Sequence, residues 1–215
     1  MNPDKEPNDI YITWKQLVRE SRIKHCIYPI TKECSETVIK AHSIQRNRYL
    51  SHIADHGEVY MILPQLGEDF TVKAEKVGIK AATVFTGFCG YHDNKIFEPI
   101  EIEPYKNTPL QNFLFAYRAF AFAYHRKLEA VQFALNHLKK KPDLVNHTMI
   151  QLQNEGYKLA IRDITYAKEK FDAAFGNSSK EINTFVLEIP KECYIAACGS
   201  FFPEYDLQGQ LLVDL

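Results

Sequence analysis

Two segments decide how this chain folds: Cys26-Ile27-Tyr28-Pro29-Ile30-Thr31-Lys32-Glu33-Cys34 and Gly87-Phe88-Cys89-Gly90-Tyr91-His92-Asp93-Asn94-Lys95. Together they hold three of the five cysteines, with a histidine three positions after the last. Two cysteines with seven residues between them supply one half of a tetrahedral site, and Cys89-x2-His92 at the head of a helix supplies the other. The expected ligand set is Cys26, Cys34, Cys89 and His92, and the expected ion is Zn2+. Four protein ligands close a tetrahedron and leave no position for substrate, so such a zinc is structural and contributes folding energy on the order of 10 kcal/mol. The alternatives are four residues packed separately with no metal, or a catalytic ion held by the same groups.

Composition sets the outer limits. A chain of 215 residues with 46% hydrophobic content buries a core as one large or two small domains. The net charge of -1 excludes a basic coat over the whole molecule. Basic charge is instead local: between Lys15 and His52 eight Lys or Arg stand against three Glu. That face is either a solvated charged surface or one that tracks phosphates. Met1 to Asp9 is polar and has no apolar signal-peptide core, and no apolar run reaches the roughly 18 residues of a membrane span. An odd number of cysteines clustered with histidine fits a reduced, cytoplasmic setting with metal binding better than a disulfide framework.

Working outward from the two segments, a short helix is expected over 10–22, with Trp14, Leu17 and Val18 on one side. Val38 to His42 reads as a strand, and Ser43 as the N-cap of a helix over 45–54 with Leu50 and Ile53 inward. His42 then falls at a strand-to-helix junction, whereas His52 and His56 are expected to be exposed. Strands are expected over 58–63 and 70–75 around a turn at 64–69, and the run 81–85 leads into the second Cys/His segment. The acidic residues and prolines from Glu98 to Pro109 read as a linker.

Beyond it, Leu110, Leu114, Tyr117, Ala121, Tyr124, Leu128, Val131, Leu135 and Leu138 recur at spacings of three and four, the seam of a packed helix. Lys139 to Lys141 close it against its dipole, and Pro142-Asp143 breaks the chain. A second helix carries Ile150, Tyr157, Ala160, Ile164, Ala167, Phe171 and Ala174 on one face and stops at Gly176. The short break implies an antiparallel hairpin with arms about 45 Å long, more often a scaffold or partner surface than a catalytic element. The tail alternates at Phe185, Leu187 and Ile189 and again over 193–198, which predicts strands. Cys193 and Cys198 lie an odd number of positions apart, point to opposite faces, and read as buried small hydrophobes rather than ligands. Residues 211–215 begin a further strand that either pairs inside the fold or continues past the end of this sequence.

The run Cys89-Gly90-Tyr91-His92-Asp93, with His42 at the end of a strand upstream, resembles the HNH, or His-Me finger, endonucleases of treble-clef type. In that family zinc knuckles flank a strand ending in a catalytic histidine, and the second knuckle opens the metal-binding helix. The resemblance covers roughly residues 24–97. It implies that His92 replaces the second cysteine of that knuckle, Asp93 its final histidine, and that His42 is the general base with Asn47 as the middle asparagine. It further implies a catalytic Mg2+ held partly by Asp93, phosphate contacts from Lys40, Arg46 and Arg48, and a setting in bacterial defence or conflict. The family's first knuckle has two intervening residues where this chain has seven, and Ala41 stands where an acidic residue often precedes the histidine.

The expected architecture is α+β. It comprises a zinc-knuckle, HNH-like module over 1–103, a helical hairpin over 104–178 and a small β element over 179–215. The expected function is metal-dependent hydrolysis of nucleic acid. The rival is a non-catalytic, zinc-scaffolded module that binds nucleic acid, or a protein partner through its hairpin.

Overall fold

A computed structural model describes residues 7–35, 37–65, 71–142, 147–176, 182–201, 203 and 205–211. Its organising strand is β4, Val84–Cys89, which pairs antiparallel with β1, Val38–His42. The register runs from Ile39 opposite Phe88 to Ala41 opposite Phe85, so β4 spends one residue more than β1 between those pairs. That bulge explains how Phe85 and Phe88, an odd number of positions apart, are both buried. It also turns the Gly87 carbonyl outward to accept the Ile27 N–H at 2.9 Å, which docks the first cysteine segment onto the strand. Thr86 Oγ1 donates to the Ile23 carbonyl at 2.5 Å on the same side.

Helix α3, Gly90–Glu101, starts directly from β4. It buries Ile96, Phe97 and Ile100 against the β1–β4 pair. The helix runs through Pro99, where a linker was expected. Pro99 lies in the final turn and removes a single backbone donor, a loss that burial of Ile96, Phe97 and Ile100 outweighs. The connecting residues after α3 are held by buried Gln111, whose Nε2 donates to the Pro104 carbonyl at 2.8 Å and whose Oε1 accepts the Lys106 N–H at 2.8 Å.

Two long helices complete the core: α4, Pro109–Lys140, and α5, Thr148–Gly176. Thr108 caps α4 by accepting the Gln111 N–H, and Pro109 occupies the first turn, where its missing donor costs nothing. Rings tie all parts together. Phe88 meets Phe97 at 5.2 Å and Tyr117 at 6.0 Å, Tyr117 meets Phe175 at 4.7 Å, and Phe120 stacks on Phe171 at 4.6 Å. As α4 advances from Tyr117 to Phe120, its ring partners on α5 step back from Phe175 to Phe171. Helix α1, Pro7–Glu20, lies on the far part of α4 through Trp14 and Phe133, with Lys140 paired to Glu20 at 2.6 Å.

A separate ribbon, β2 (Glu58–Gln65) and β3 (Thr71–Gly78), carries a smaller apolar cluster of Leu50, Val59 and Ala82 with Ile44, Ile53, Met61 and Val77 around it. The expected turn over 64–69 lies mostly outside the described residues. Ser43 does not cap a helix. Its N–H donates to Thr83 O at 2.9 Å and the chain bends at Ser43 and Ile44; the expected helix over 45–54 is present as a π-helical segment, Arg46–Leu50, with Leu50 buried, running into the short α2, Ser51–Ile53.

The tail departs most from expectation. Among the described residues its only pairing is an isolated bridge between Tyr205 and Leu211, and Phe185, Leu187 and Ile189 are exposed. An alternating apolar segment forms a strand only beside a partner ladder, and the described tail has none. Cys193 is accordingly exposed and Cys198 half-buried, so the expectation that both are buried fails. Residues 212–215 of the expected last strand lie outside the described residues.

The β4 bulge makes a test. A Cβ on Gly87 would stand 2.6 Å from Phe85 Cε2, and Phe85 is itself boxed in by Phe88, Phe122 and His125. Gly87→Ala is expected to cost about 1–3 kcal/mol through overpacking. Gly78→Ala, which meets open space, should stay within about 0.5 kcal/mol, and thermal or urea unfolding of the two variants measures the contrast.

Candidate metal centre and adjoining cleft

The thiols of Cys26, Cys34 and Cys89 converge on one atom, His92 Nδ1, at 3.4, 3.5 and 3.3 Å. All four ligand atoms lie within 4.8 Å of one another. An imidazole nitrogen carries at most one hydrogen, so three sulfurs around it are not explained as hydrogen bonds. They fit the shell of a shared cation: Zn–S of about 2.3 Å and Zn–N of about 2.0 Å would put tetrahedral S···N edges at about 3.5 Å. The donor set therefore fits Zn2+, with Cys26 and Cys34 from the loop before β1, Cys89 from the end of β4 and His92 from the first turn of α3.

Local structure prepares these ligands. Cys89 is the residue before α3, and its sulfur accepts the His92 N–H at 3.5 Å. Burial opposes ionisation of Cys89, but that N–H and the groups of Ser35 prevail and bring its thiol down to about 7. Cys34 moves the other way, pushed up to about 12 by burial and by Cys26. Burial also lowers the pKa of His92, which favours the neutral imidazole that a metal needs. Because the ion binds thiolates, its affinity must fall as pH falls.

Beside α3 lies a cleft of about 580 Å³. Lys40, His42, Arg46, Asn47 and Asp93 all line it, together with Lys80, Asn94, Glu98, Glu101, Ile102 and Arg118. Arg48 does not join them; its guanidinium donates to the carbonyls of Glu103 at 2.6 Å and Ile102 at 3.3 Å and so caps the end of α3. His42 Nδ1 sits 3.0 Å from the Ala82 carbonyl. A carbonyl only accepts, so that contact puts the proton on Nδ1 and leaves Nε2 as the basic nitrogen. Burial first, then Arg46 and Arg118, lower the pKa of His42 against the opposing Ala82 bond and Glu101.

The carbonyl that sets this tautomer is held by an unusual neighbour. Thr83, next to Ala82, has φ of 59°, an outlying conformation for a β-branched residue. Its carbonyl accepts the Ser43 N–H and its hydroxyl reaches Ile44 O at 3.5 Å, so the two residues after His42 are tied to one turn. Asp93 stands in the first turn of α3, one residue beyond the ligand His92. Burial raises its carboxyl to about 6, with Arg118 pulling it down and Glu101 pushing it up.

Glu101 and Lys80 were not expected here. Arg118, with His125 and Arg126 on the first arm of the expected hairpin, reads from the sequence either as facing a ligand or as a solvated or structurally paired side chain; Lys80 left no signal. No family model, curated protein or solved structure matches the chain. No helix among the described residues is long and apolar enough to cross a membrane.

Purified protein is expected to contain about one equivalent of zinc by elemental analysis. Cys89→Ser should lose the ion and much of the folding energy, on the order of several kcal/mol. Cys193→Ala and Cys198→Ala should retain it. Metal-free wild type that melts like the untreated protein would contradict this assignment.

Proposed function

We propose that this chain is a metal-dependent nucleic-acid phosphodiester hydrolase of HNH-like type, built on a treble-clef zinc knuckle. The observation that supports it is the meeting of His42, Asn47 and Asp93 with Lys40 and Arg46 along one cleft, directly behind a Cys3His cluster. In this reading β1, β4 and α3 form the catalytic unit, and zinc at the start of α3 fixes where Asp93 stands.

The chain's own groups divide the work. His42 Nε2, unprotonated because Nδ1 donates to Ala82 O, takes a proton from the attacking water. Asp93 is the carboxylate that would hold a Mg2+ ion, whose chemistry when bound is to steady charge on the departing oxygen. One protein carboxylate is within the habit of this ion, which keeps several waters and leans on substrate phosphates. Lys40 and Arg46 contact the phosphate backbone and set its register. Asn47, whose Oδ1 accepts from Arg46 Nε at 3.1 Å, orients that arginine.

A second reading rests on different residues. Met149, Leu152 and Leu159 of α5 are exposed, as are Phe185 and Leu187 of the tail, and exposed apolar side chains of this kind favour a protein partner. It is compatible with catalysis at the cleft.

His42→Ala is expected to abolish Mg2+-dependent cleavage of DNA or RNA while zinc content and melting temperature stay near wild type. Asp93→Asn should do the same with a raised Mg2+ requirement. The pH profile carries a sign: activity needs Asp93 ionised and His42 neutral, so it should fall as pH drops through about 6. Raising Mg2+ should move that limb to lower pH, since the ion competes with the proton for the carboxylate. Intact protein that cuts nothing across a panel of nucleic acids and divalent ions would refute the enzyme.

A further inference from the structure

Arg118 is the most deeply buried charge in the cleft and belongs to neither β1, β4 nor α3. It projects from the first third of α4 and is 4% exposed. Its Nη2 donates to Glu101 Oε1 at 2.5 Å, and its guanidinium lies 4.2 Å from the centre of the Phe97 ring. Its Nε is buried and has no hydrogen-bond partner among the described residues. A guanidinium offers five donors in a planar fork, and burying it with the fork only partly used is costly. Groups left in that state in a cleft wall are those a ligand completes.

The charge around Arg118 indicates which ligand. The same cleft presents Lys40, Arg46 and Lys80 as further cations, against Asp93, Glu98 and Glu101. Of those carboxylates, Glu101 is engaged by Arg118 itself and by Gln45 Nε2 at 3.3 Å. An ion pair between α3 and α4 could be built from Arg118 and Glu101 alone. It would not require three more cations facing the same space. Phosphate is the group whose oxygens match a guanidinium fork and tolerate lysines beside it.

We propose that Arg118 is the buried end of a phosphate-binding subsite completed by Lys40, Arg46 and Lys80, so that α4 belongs to the substrate-binding surface and is not only its support. The proposal rests on the reading of the cleft as a phosphodiester site and adds the residues that hold the anion. Glu101 acts as the positioning residue: it occupies one arm of the fork and turns the rest of the guanidinium toward the cleft. Phe97 fixes the plane of the guanidinium from below.

The test measures binding without cleavage. Zinc-loaded protein without added magnesium is titrated with a fluorescent single-stranded oligonucleotide, and inorganic phosphate is the competitor. Arg118→Gln is expected to weaken both the oligonucleotide and phosphate by about tenfold or more, while Arg48→Gln, outside the cleft, leaves phosphate competition unchanged. Because Arg118→Gln strands Glu101, the double variant Arg118→Gln/Glu101→Gln removes both partners and guards against misfolding. Arg118→Lys, which keeps the charge and loses the fork, should recover only part of the affinity.

Folded variants lacking Arg118 that bind phosphate like wild type would overturn the proposal, as would wild type that phosphate does not compete on. The two readings separate cleanly. Phosphate binding that depends on Arg118 without cleavage by any metal would sink the hydrolase and keep the subsite. Cleavage and phosphate affinity unaffected by Arg118→Gln would do the reverse.

Discussion

Three sulfurs drawn to one imidazole nitrogen are the constraint on which the rest of this structure depends. The loop of Cys26 and Cys34 is also held outside the cluster, by the Ile27 N–H on Gly87 O, by buried Ile27 in the main core, by Tyr28 against Phe175 at 5.0 Å and by the Ser35 hydroxyl accepting the Tyr91 N–H. Without a cation the cluster sets thiols against each other in a half-buried space, which is why Cys34 is pushed so far up. With one, the same atoms pin a loop, a strand end and a helix start at a single point. The first turn of α3 is thereby fixed, and with it Asp93, one residue past His92, which lines the cleft.

That geometry links structure to chemistry through short covalent paths. His42 ends β1, Cys89 ends the paired β4, and Asp93 lies in the first turn of α3, so a two-stranded ladder and one helix turn set the separation of His42 and Asp93. The bulge at Gly87 serves the same end by letting β4 bond both to β1 and to the cysteine loop. Thr83 holds the Ala82 carbonyl against His42 Nδ1 in a conformation that costs of order 1–3 kcal/mol, offset by the packing of Ala82 in the second apolar cluster. Helix α4 adds the buried Arg118 from outside this unit, through the same ring stack that builds the core.

Much of this was legible in the residues and some was not, for physical reasons. The convergence of Cys26, Cys34, Cys89 and His92 was readable because Cys and His at a strand-to-helix start, with two more cysteines upstream, match the spacing of a metal-holding cluster. The long helices were readable because their seams repeat over many turns, and Thr108-Pro109 and Gly176 mark their ends. Pro99 misled because a proline in a last turn costs little when Phe97 and Ile100 are buried beside it. The tail misled because period-two alternation gives the face a strand would present but says nothing of whether a neighbouring strand exists. Arg48 was grouped with Lys40 and Arg46 by proximity in sequence, yet the wide turn over Arg46–Leu50 carries it to the end of α3. Lys80 reaches the cleft only through tertiary packing, which no local pattern encodes, whereas Arg118 showed in the sequence as a charge set within the apolar seam of α4.

The most direct test of the account is X-ray absorption at the zinc edge of the purified protein. The account predicts about one zinc per chain, with three sulfur neighbours near 2.3 Å and one nitrogen neighbour near 2.0 Å. A shell of oxygen and nitrogen alone, or a protein that folds and keeps its cleft with no zinc to measure, would contradict it.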